Sequence, residues 1–179
     1  MNLFIGCSSK TDIDKKYIDD CYELIKMIAK VPNVDLVYGA YNRGLMGLCY
    51  AEFKKNEKKI TGVITKYHDD RDGDEVVGDN KKVTLTTTER FDEIYGNSDT
   101  ILILPGGLGV LAELFSAIEE SSIGNNKKII VYNCNYFYTP IIRELFHLYE
   151  EGFISMPPSE YMIIESDKEK IIEMIKEMN

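Results

Sequence analysis

The sequence has little glycine and little proline, with 13 glycines and 5 prolines among 179 residues. Together with 44% hydrophobic and 28% charged residues, this is the composition of an ordinary globular domain, and it excludes collagen-like, low-complexity and disordered chains. No linker rich in Pro, Gly or Ser and no internal repeat divides the chain. We therefore expect residues 1–179 to form one domain, which at this length buries roughly 70% of the surface of its unfolded form and needs no disulfide or metal for its core.

Positive charge is also scarce. The chain has 21 Lys and Arg against 30 Asp and Glu, a net charge of -9 and a pI near 4.8. A phosphate backbone or an anionic membrane attracts the opposite, basic kind of surface. We therefore predict no nucleic-acid partner and no membrane partner, although one buried anion site is compatible with this charge.

Metal motifs and long apolar runs are missing as well. The four cysteines (Cys7, Cys21, Cys49 and Cys134) lie far apart without a C-x-x-C pair, so the sequence contains neither a zinc motif nor a redox motif and predicts reduced thiols. The N-terminal segment has no basic region before its short apolar run, and nowhere do 18 apolar residues follow one another. These features predict a cytoplasmic protein.

Short apolar runs alternate with amphipathic stretches along the chain. Six runs are nearly continuous, as in strands buried on both faces, and they span 3–5, 34–38, 60–65, 83–86, 100–104 and 128–132. Five stretches have the apolar spacing of helices, and they span 13–30, 44–56, 111–122, 140–151 and 168–178. This alternation predicts an α/β fold of the Rossmann-like kind, a doubly wound parallel sheet with helices on both faces.

One segment, 66–82, is strongly polar and is predicted to be a surface loop between strands. Asp70, Asp72 and Asp74 in this segment have the alternation of a calcium-binding loop. The glycine, Gly73, is in the wrong place for an EF-hand, so a solvated loop is the better interpretation.

Four junctions between a strand and the next helix are unusual, and in a parallel sheet all of them open on the edge where ligands bind. They are Gly6-Cys7-Ser8-Ser9, Gly39-Ala40-Tyr41-Asn42-Arg43-Gly44-Leu45-Met46-Gly47, Thr86-Thr87-Thr88-Glu89-Arg90 and Pro105-Gly106-Gly107-Leu108-Gly109-Val110. We expect them to form one site.

The last of these junctions carries three glycines, Gly106, Gly107 and Gly109. We expect them to allow positive φ angles and a close approach of backbone to ligand, while a helix starting near Gly109 directs its free N–H groups to the same point. The alternative is a tight turn that happens to be rich in glycine. Neither the Walker spacing nor G-x-G-x-x-G is present, so the phosphate of a mononucleotide fits this loop better than ATP or NAD.

Two charged residues are placed near this loop. Glu113 lies one helical turn after Gly109 and is expected to project into the pocket, although it could equally be a surface glutamate. Arg90 follows three threonines at the end of a strand, where a guanidinium binds a carboxylate or phosphate with two hydrogen bonds, or else faces solvent.

In these motifs the sequence resembles the LONELY GUY (LOG) family of cytokinin riboside 5′-monophosphate phosphoribohydrolases, often mislabelled lysine decarboxylases. The family pattern P-G-G-x-G-T-x-x-E is matched by residues 105–113, and its Glu-Arg pair by Glu89-Arg90. Residues 6–9 resemble its amino-terminal Cys-Gly-Ser-Ser with the first two residues exchanged, and residues 44–47 match Gly-Leu-Met-Gly. The resemblance extends over nearly the whole chain.

The resemblance implies hydrolysis of the N-glycosidic bond of a purine nucleoside 5′-monophosphate, whose base can carry an N6 substituent, without a metal or another cofactor. It implies that Arg90 and Glu113 are catalytic and that the nucleotide binds at Gly6, Ser8, Gly44, Met46, Gly106, Gly107, Gly109 and Val110. It also implies a homodimer. A lysine decarboxylase would need a lysine for pyridoxal phosphate, which nothing in the sequence singles out.

Three departures separate the chain from the family pattern. The threonine after the third glycine is Val110, the lysine after the motif arginine is Phe91, and a glycine triplet is reduced to Gly39-Ala40-Tyr41. The alternative function is therefore a non-catalytic nucleotide-binding module. Neither His68 nor His147 has a spacing that ties it to Cys7, so we expect Cys7 to be a packed thiol rather than a nucleophile.

Overall fold

The computed structural model describes residues 1–73, 77–125 and 127–179. Its strands are β1 (Asn2–Gly6), β2 (Asp35–Tyr38), β3 (Ile60–Thr65), β4 (Asn80–Thr84), β5 (Thr100–Ile103), β6 (Lys128–Tyr132) and β7 (Ile163–Glu165). They form one parallel sheet in the order β4-β3-β2-β1-β5-β6-β7. The chain thus adds β2, β3 and β4 in turn on one side of β1, and then adds β5, β6 and β7 on the other side. This order creates a crevice between the loops that follow β1 and β5.

The helices lie on both faces of this sheet. They are α1 (Lys15–Ala29), α2 (Gly44–Lys55), α3 (Lys66–Asp72), α4 (Thr87–Gly96), α5 (Leu108–Ser122), α6 (Thr139–Glu150), α7 (Pro158–Tyr161) and α8 (Lys168–Glu177), with a 3₁₀ turn at Cys134–Tyr136. The predicted doubly wound α/β fold is confirmed. No helix in the described residues is long and apolar enough to cross a membrane.

Successive strand residues face opposite layers, and each layer has its own core. Leu3 and Ile5 of β1 pack with the buried faces of α1, α2 and α8. Phe4, between them in sequence, packs on the other face with residues of α4, α5 and α6. Burial on both faces explains why the strands appear in the sequence as nearly continuous apolar runs.

Four elements, β7, α3, α4 and α7, were not predicted from the sequence pattern, and the position of one strand was predicted wrongly. β7 has three residues and all are only half-buried, while α7 has four residues, so neither is long enough to show a period. α4 was predicted only as a junction. The fourth strand runs over Asn80–Thr84 rather than 83–86, because β3 pairs with Asn80 at its start and with Thr84 at its end.

The prediction that 66–82 is a surface loop is wrong. Its beginning forms α3 and its end forms β4, whose residues pair with β3. α3 has no buried residue, so it carries no hydrophobic period that a sequence pattern could detect. Asp74, the third carboxylate weighed as a calcium ligand, lies outside the described residues.

Candidate active site

A cavity of about 320 Å³ opens at the carboxyl edge of the sheet. Its walls come from the loops after β1 and β2, from the end of β3 with α3, and from the first turns of α4 and α5. Its volume lies at the lower end of the range of pockets that hold small ligands. All four predicted junctions, including the glycine loop, thus meet at this cavity, as the parallel topology requires.

Arg90 and Glu113 form a buried ion pair on the wall of this cavity. An Nη atom of Arg90 donates to Oε1 of Glu113 at 2.8 Å, and the two side chains are 13% and 4% exposed. Nε of Arg90 donates to the carbonyl oxygen of Val63 in β3 at 3.0 Å. The guanidinium is therefore fixed from two sides, and it connects the end of β3 with the first turn of α5.

Local sequence explains the position of Arg90. The side chain of Thr86 accepts a hydrogen bond from the amide of Glu89, and the carboxylate of Glu89 accepts one from the amide of Leu85. These reciprocal contacts start α4 immediately after β4. Arg90 consequently lies in the first turn of α4, within reach of the cavity.

The second carboxylate oxygen of Glu113 has no hydrogen-bond partner among the described residues and is buried. A Cβ atom placed on Gly6 would lie 2.9 Å from this oxygen, so glycine at the end of β1 makes room for the carboxylate. Burial raises the pKa of Glu113 above its ordinary value, while the charge and the hydrogen bond of Arg90 act in the opposite direction. Glu113 is therefore a poorly solvated acid that needs a further hydrogen-bond donor.

The N-terminus of α5 faces the same cavity without a side-chain cap. Gly107 is the N-cap residue, and the first bond inside the helix joins the amide of Leu111 to the carbonyl of Gly107. The amides of residues 108–110 thus have no partner within the helix. Cβ positions on Gly107 and Gly109 would meet no atom within 4 Å, so backbone lies open to a ligand there. This end of α5 is suited to an anion.

The predicted positive φ angles in the glycine loop are wrong. Among the described glycines, positive φ occurs at Gly44, Gly78, Gly124 and Gly152. Gly107 has φ -90 and ψ -154, an extended conformation that other residues also adopt. The loop needs glycine for space instead, because a Cβ on Gly106 would lie 2.3 Å from the side chain of Val110.

The loop after β1 and the start of α2 hold one another. The amide of Met46 donates to the carbonyl of Ser8 at 3.3 Å, and Oγ of Ser8 accepts from the amide of Lys10 at 3.0 Å. Gly44 has φ +57, and a Cβ there would lie 2.5 Å from the carbonyl oxygen of Lys10. Gly44 thus permits a close contact between two loops.

The ten predicted site residues fall into two groups. Seven border the cavity, namely Ser8, Met46, Arg90, Gly107, Gly109, Val110 and Glu113. Gly6, Gly44 and Gly106 do not border the cavity, and each leaves room for a neighbouring group. The binding and catalytic roles of all ten remain predictions.

The cavity wall that β3 and α3 form was not identified from the sequence. Thr65 ends β3, and His68 lies in the first turn of α3, where both line the cavity together with Tyr41. The sequence pattern places His68 in the predicted surface loop 66–82, away from the site. The available signal was its position three residues after a buried strand, at the same sheet edge as the other junctions.

Cys7 also borders the cavity, but it is 0% exposed and its Sγ lies 4.0 Å from Sγ of Cys49. Burial and the neighbouring Cys49 raise the pKa of the Cys7 thiol well above its ordinary value. The expectation of a packed thiol is therefore confirmed. The described residues contain no cluster of three or more His, Cys, Asp or Glu that could hold a metal ion.

Related sequences identify the family of this chain. A family model described as "Possible lysine decarboxylase" matches residues 46–175. The chain is 32% identical over 176 residues to the probable cytokinin riboside 5′-monophosphate phosphoribohydrolase LOGL2 of Oryza sativa subsp. japonica, covering 97% of this chain and 71% of that protein. It is 31% identical over 179 residues to LOG1 of Arabidopsis thaliana, a cytokinin riboside 5′-monophosphate phosphoribohydrolase, covering 98% and 81%.

Solved structures show the same fold at lower identity. The molybdenum cofactor binding protein of Rippkaea orientalis superposes with a TM-score of 0.71 at 22% identity, covering 99% of this chain and 96% of that one. The molybdenum cofactor carrier protein of Chlamydomonas reinhardtii also gives 0.71, at 16% identity and with the same coverage. At these identities the likeness concerns the fold alone. The family match and the relatives about 30% identical in sequence establish that this chain belongs to the LOG family, the group whose model is described as a possible lysine decarboxylase.

Proposed function

We propose that the protein hydrolyses the N-glycosidic bond of a purine nucleoside 5′-monophosphate and releases the free base and ribose 5-phosphate. The observation that carries this proposal is the buried pair of Arg90 and Glu113 beside the uncapped N-terminus of α5, in one cavity. The names of the relatives support the same reaction class. N6-substituted adenine nucleotides are included in the proposed substrate class.

The 5′-phosphate is proposed to bind at the N-terminus of α5. The free amides near Gly109 and Val110 and the positive end of the helix dipole favour an anion. Ser8 and Lys10 border the same end of the cavity and supply a hydroxyl and a cation. Binding energy gained at the phosphate then holds the anomeric carbon against Glu113.

The reaction develops positive charge on the ribose as the bond between C1′ and N9 breaks. The electron pair of this bond goes to the base, the oxygen of a water molecule bonds to C1′, and one proton of that water ends on the base. A carboxylate beside the sugar stabilises the positive charge and orients the water. Glu113 is placed for this role, and Arg90 orients it and opposes the rise in its pKa that burial causes.

The unpaired oxygen of Glu113 fits this scheme. In the substrate complex, a ribose hydroxyl or the attacking water would donate to it. The buried acid would thereby gain the hydrogen bond that the protein itself does not supply. This gain would occur only with substrate in place.

A non-catalytic nucleotide-binding module is the second candidate. Val110 borders the cavity with methyl groups where the family pattern has a threonine hydroxyl, so one hydrogen-bond donor to a phosphate is missing. Against this candidate stands the buried ion pair, because a module that only binds has no need of a desolvated carboxylate beside the sugar. The catalytic proposal therefore has the stronger support.

The test measures ribose 5-phosphate released from AMP and from N6-substituted AMP with a reducing-sugar assay. Glu113→Gln is expected to lower turnover at least about 100-fold, because it removes the negative charge near C1′. Glu173→Gln is the matched control, since Glu173 is an exposed glutamate of α8 and does not border the cavity. AMP binding without turnover in the unmodified protein would favour the non-catalytic module.

A homodimer and a cytoplasmic location belong to the same proposal. The dimer is supported by apolar side chains that α5 leaves accessible, with Leu108 87% and Phe115 43% exposed. Phe115 borders an apolar groove of about 310 Å³ that is lined by α5, α6 and α7. We propose that a second copy of the chain covers this face.

A further inference from the structure

His68 lies on the cavity wall, and the mechanism proposed above makes no use of it. Its Nδ1 atom lies 2.8 Å from Oγ1 of Thr65. Its ring meets those of Tyr41 and Tyr67 edge to face, with centroid distances of 6.2 and 5.2 Å. The imidazole is therefore held in a defined orientation at the border of the cavity.

The contact with Thr65 determines which ring nitrogen carries the proton. Thr65 is 7% exposed, and a buried hydroxyl proton needs an acceptor. Among the residues that the structure describes, Nδ1 of His68 is the partner of this hydroxyl. We assign the hydroxyl of Thr65 as donor and Nδ1 as acceptor, which places the imidazole proton on Nε2.

The surroundings keep the ring neutral. Burial lowers the pKa of His68 below its ordinary value, and the positive charges of Arg71, Arg90 and Arg43 lower it further, while Asp72 has the opposite effect. A neutral imidazole has a single N–H group. In the described part of the chain nothing accepts a hydrogen bond from Nε2, so this donor is available to a ligand.

The sheet order indicates which part of a nucleotide would reach His68. The amides of α5 and the loop after β1 form the phosphate end, and β3 lies two strands beyond β1, roughly 10 Å along the sheet. The Arg90–Glu113 pair connects these places, because Glu113 lies against Gly6 of β1 while Arg90 is bonded to Val63 of β3. In a nucleoside monophosphate the ribose lies between phosphate and base. With the phosphate at α5 and the ribose at the ion pair, the base reaches the end of β3, where Thr65 and His68 lie.

We propose that His68 donates a hydrogen bond from Nε2 to N7 of the purine base and so selects for substrates with an acceptor at that position. This inference rests on the proposed function. N7 belongs to the same five-membered ring as N9, the atom that receives the electron pair when the glycosidic bond breaks. A donor at N7 therefore binds the base in the ground state and stabilises the negative charge that the base acquires as it leaves.

The experiment compares AMP with 7-deaza-AMP, in which a C–H group replaces N7. Binding is measured by calorimetry in the Glu113→Gln background, so that the result does not depend on turnover. With His68 present, we expect AMP to bind roughly 3- to 10-fold more tightly than 7-deaza-AMP, the usual effect of one neutral hydrogen bond. With His68→Phe added, which keeps an aromatic ring but removes the donor, we expect the two affinities to become equal.

Two further variants separate a contact with the base from a structural effect. His68→Gln retains a side-chain N–H donor and should restore part of the preference for AMP. His147→Phe changes the other histidine, an exposed residue of α6 away from the cavity, and should leave the preference intact. Thermal unfolding of each variant shows whether it is folded.

The outcomes distinguish the two proposals. A preference for AMP that persists in His68→Phe would overturn the role of His68 and leave the proposed reaction standing. Failure of AMP to bind and to be hydrolysed would overturn the proposed function and the role of His68 with it. A preference that disappears with Phe and partly returns with Gln supports the contact at N7.

Discussion

At the scale of single residues, the main feature of the site is that the buried carboxylate of Glu113 has only part of the hydrogen bonding it needs. Arg90 pairs with one carboxylate oxygen at 2.8 Å, but the other oxygen is buried without a partner. The burial of an incompletely paired acid costs stability, and functional sites commonly bear this cost. Gly6 is part of the same arrangement, since only a residue without Cβ fits beside the carboxylate.

The stability of the protein is expected to depend on pH through Glu113. Because burial raises the pKa of this group, the folded chain holds its proton to a higher pH than the unfolded chain, whose group titrates near 4.5. The resulting stabilisation is complete below the unfolded pKa and is lost as pH rises through the folded pKa. Relative to Glu113→Gln, the free energy of unfolding of the wild type should therefore fall as the pH rises from the unfolded pKa near 4.5 through the raised pKa of the folded protein.

Urea unfolding of both proteins at several pH values measures this difference. The contributions of titratable groups that both proteins contain cancel in it. A difference that stays constant or grows with pH would show that Arg90 outweighs burial and that the pKa of Glu113 is not raised.

Gly6→Ala is expected to lower turnover by up to roughly 100-fold, because the new methyl group displaces the carboxylate of Glu113. The added atom would also lie 3.0 Å from Ile103 and 3.2 Å from Phe4, so we expect a loss of about 1–3 kcal/mol in the free energy of unfolding. Steady-state kinetics and urea unfolding measure the two effects. Gly96→Ala is the control, since a Cβ at Gly96 meets no atom within 4 Å, and equal behaviour of the two variants would refute the steric argument.

At the scale of elements, the starts of the helices after β4 and β5 form the site. α4 starts with a side-chain cap from Thr86, which fixes Arg90 in its first turn. α5 starts at Leu108 without such a cap and leaves backbone amides directed to the cavity. One helix start is thus closed by the protein and positions a side chain, while the other is open to an anion.

Val110→Thr should strengthen the binding of phosphate at the start of α5, because it adds a hydroxyl donor at a side chain that borders the cavity. One hydrogen bond to a charged group is worth about 1.5 kcal/mol or more, so we expect the affinity to rise by roughly tenfold or more. Calorimetry with inorganic phosphate and with AMP measures the change. Equal affinities in wild type and variant would mean that the phosphate does not reach residue 110.

At the scale of the whole molecule, a net charge of -9 coexists with a face of exposed apolar side chains. Leu108 and Phe115 of α5 and Phe146 of α6 are 87%, 43% and 38% exposed. Phe115 borders the apolar groove between α5, α6 and α7, and exposed apolar surface of this kind is typical of protein interfaces. It lies on the helix that carries Glu113, so association there would stabilise one wall of the site.

Sedimentation velocity is expected to show a species of twice the 20.5 kDa chain mass. Phe115→Asp should shift this species to the monomer, because it introduces a charge into an apolar interface. Leu85→Asp is the control, as Leu85 is 74% exposed but follows β4 at the far edge of the sheet. A wild type that sediments as a monomer would contradict the proposed dimer.

The sequence alone predicted the layered fold, because buried parallel strands and amphipathic helices leave distinct local patterns in composition. It missed β7, α3 and α7, which are too short or too exposed to show a period, and it missed α4, in which only Ile94 is buried. The glycine loop, Arg90 and Glu113 could likewise be identified from motifs and from the rule that ligands bind at the carboxyl edge.

Only the tertiary structure decided how these parts meet. The distance between Arg90 and Glu113, the unpaired carboxylate oxygen and the space left by Gly6 depend on strands far apart in sequence. The place of His68 on the cavity wall depends on the position of β3 within the sheet order. Local patterns determine which elements form, whereas burial and unsatisfied polar atoms arise only when those elements pack against one another.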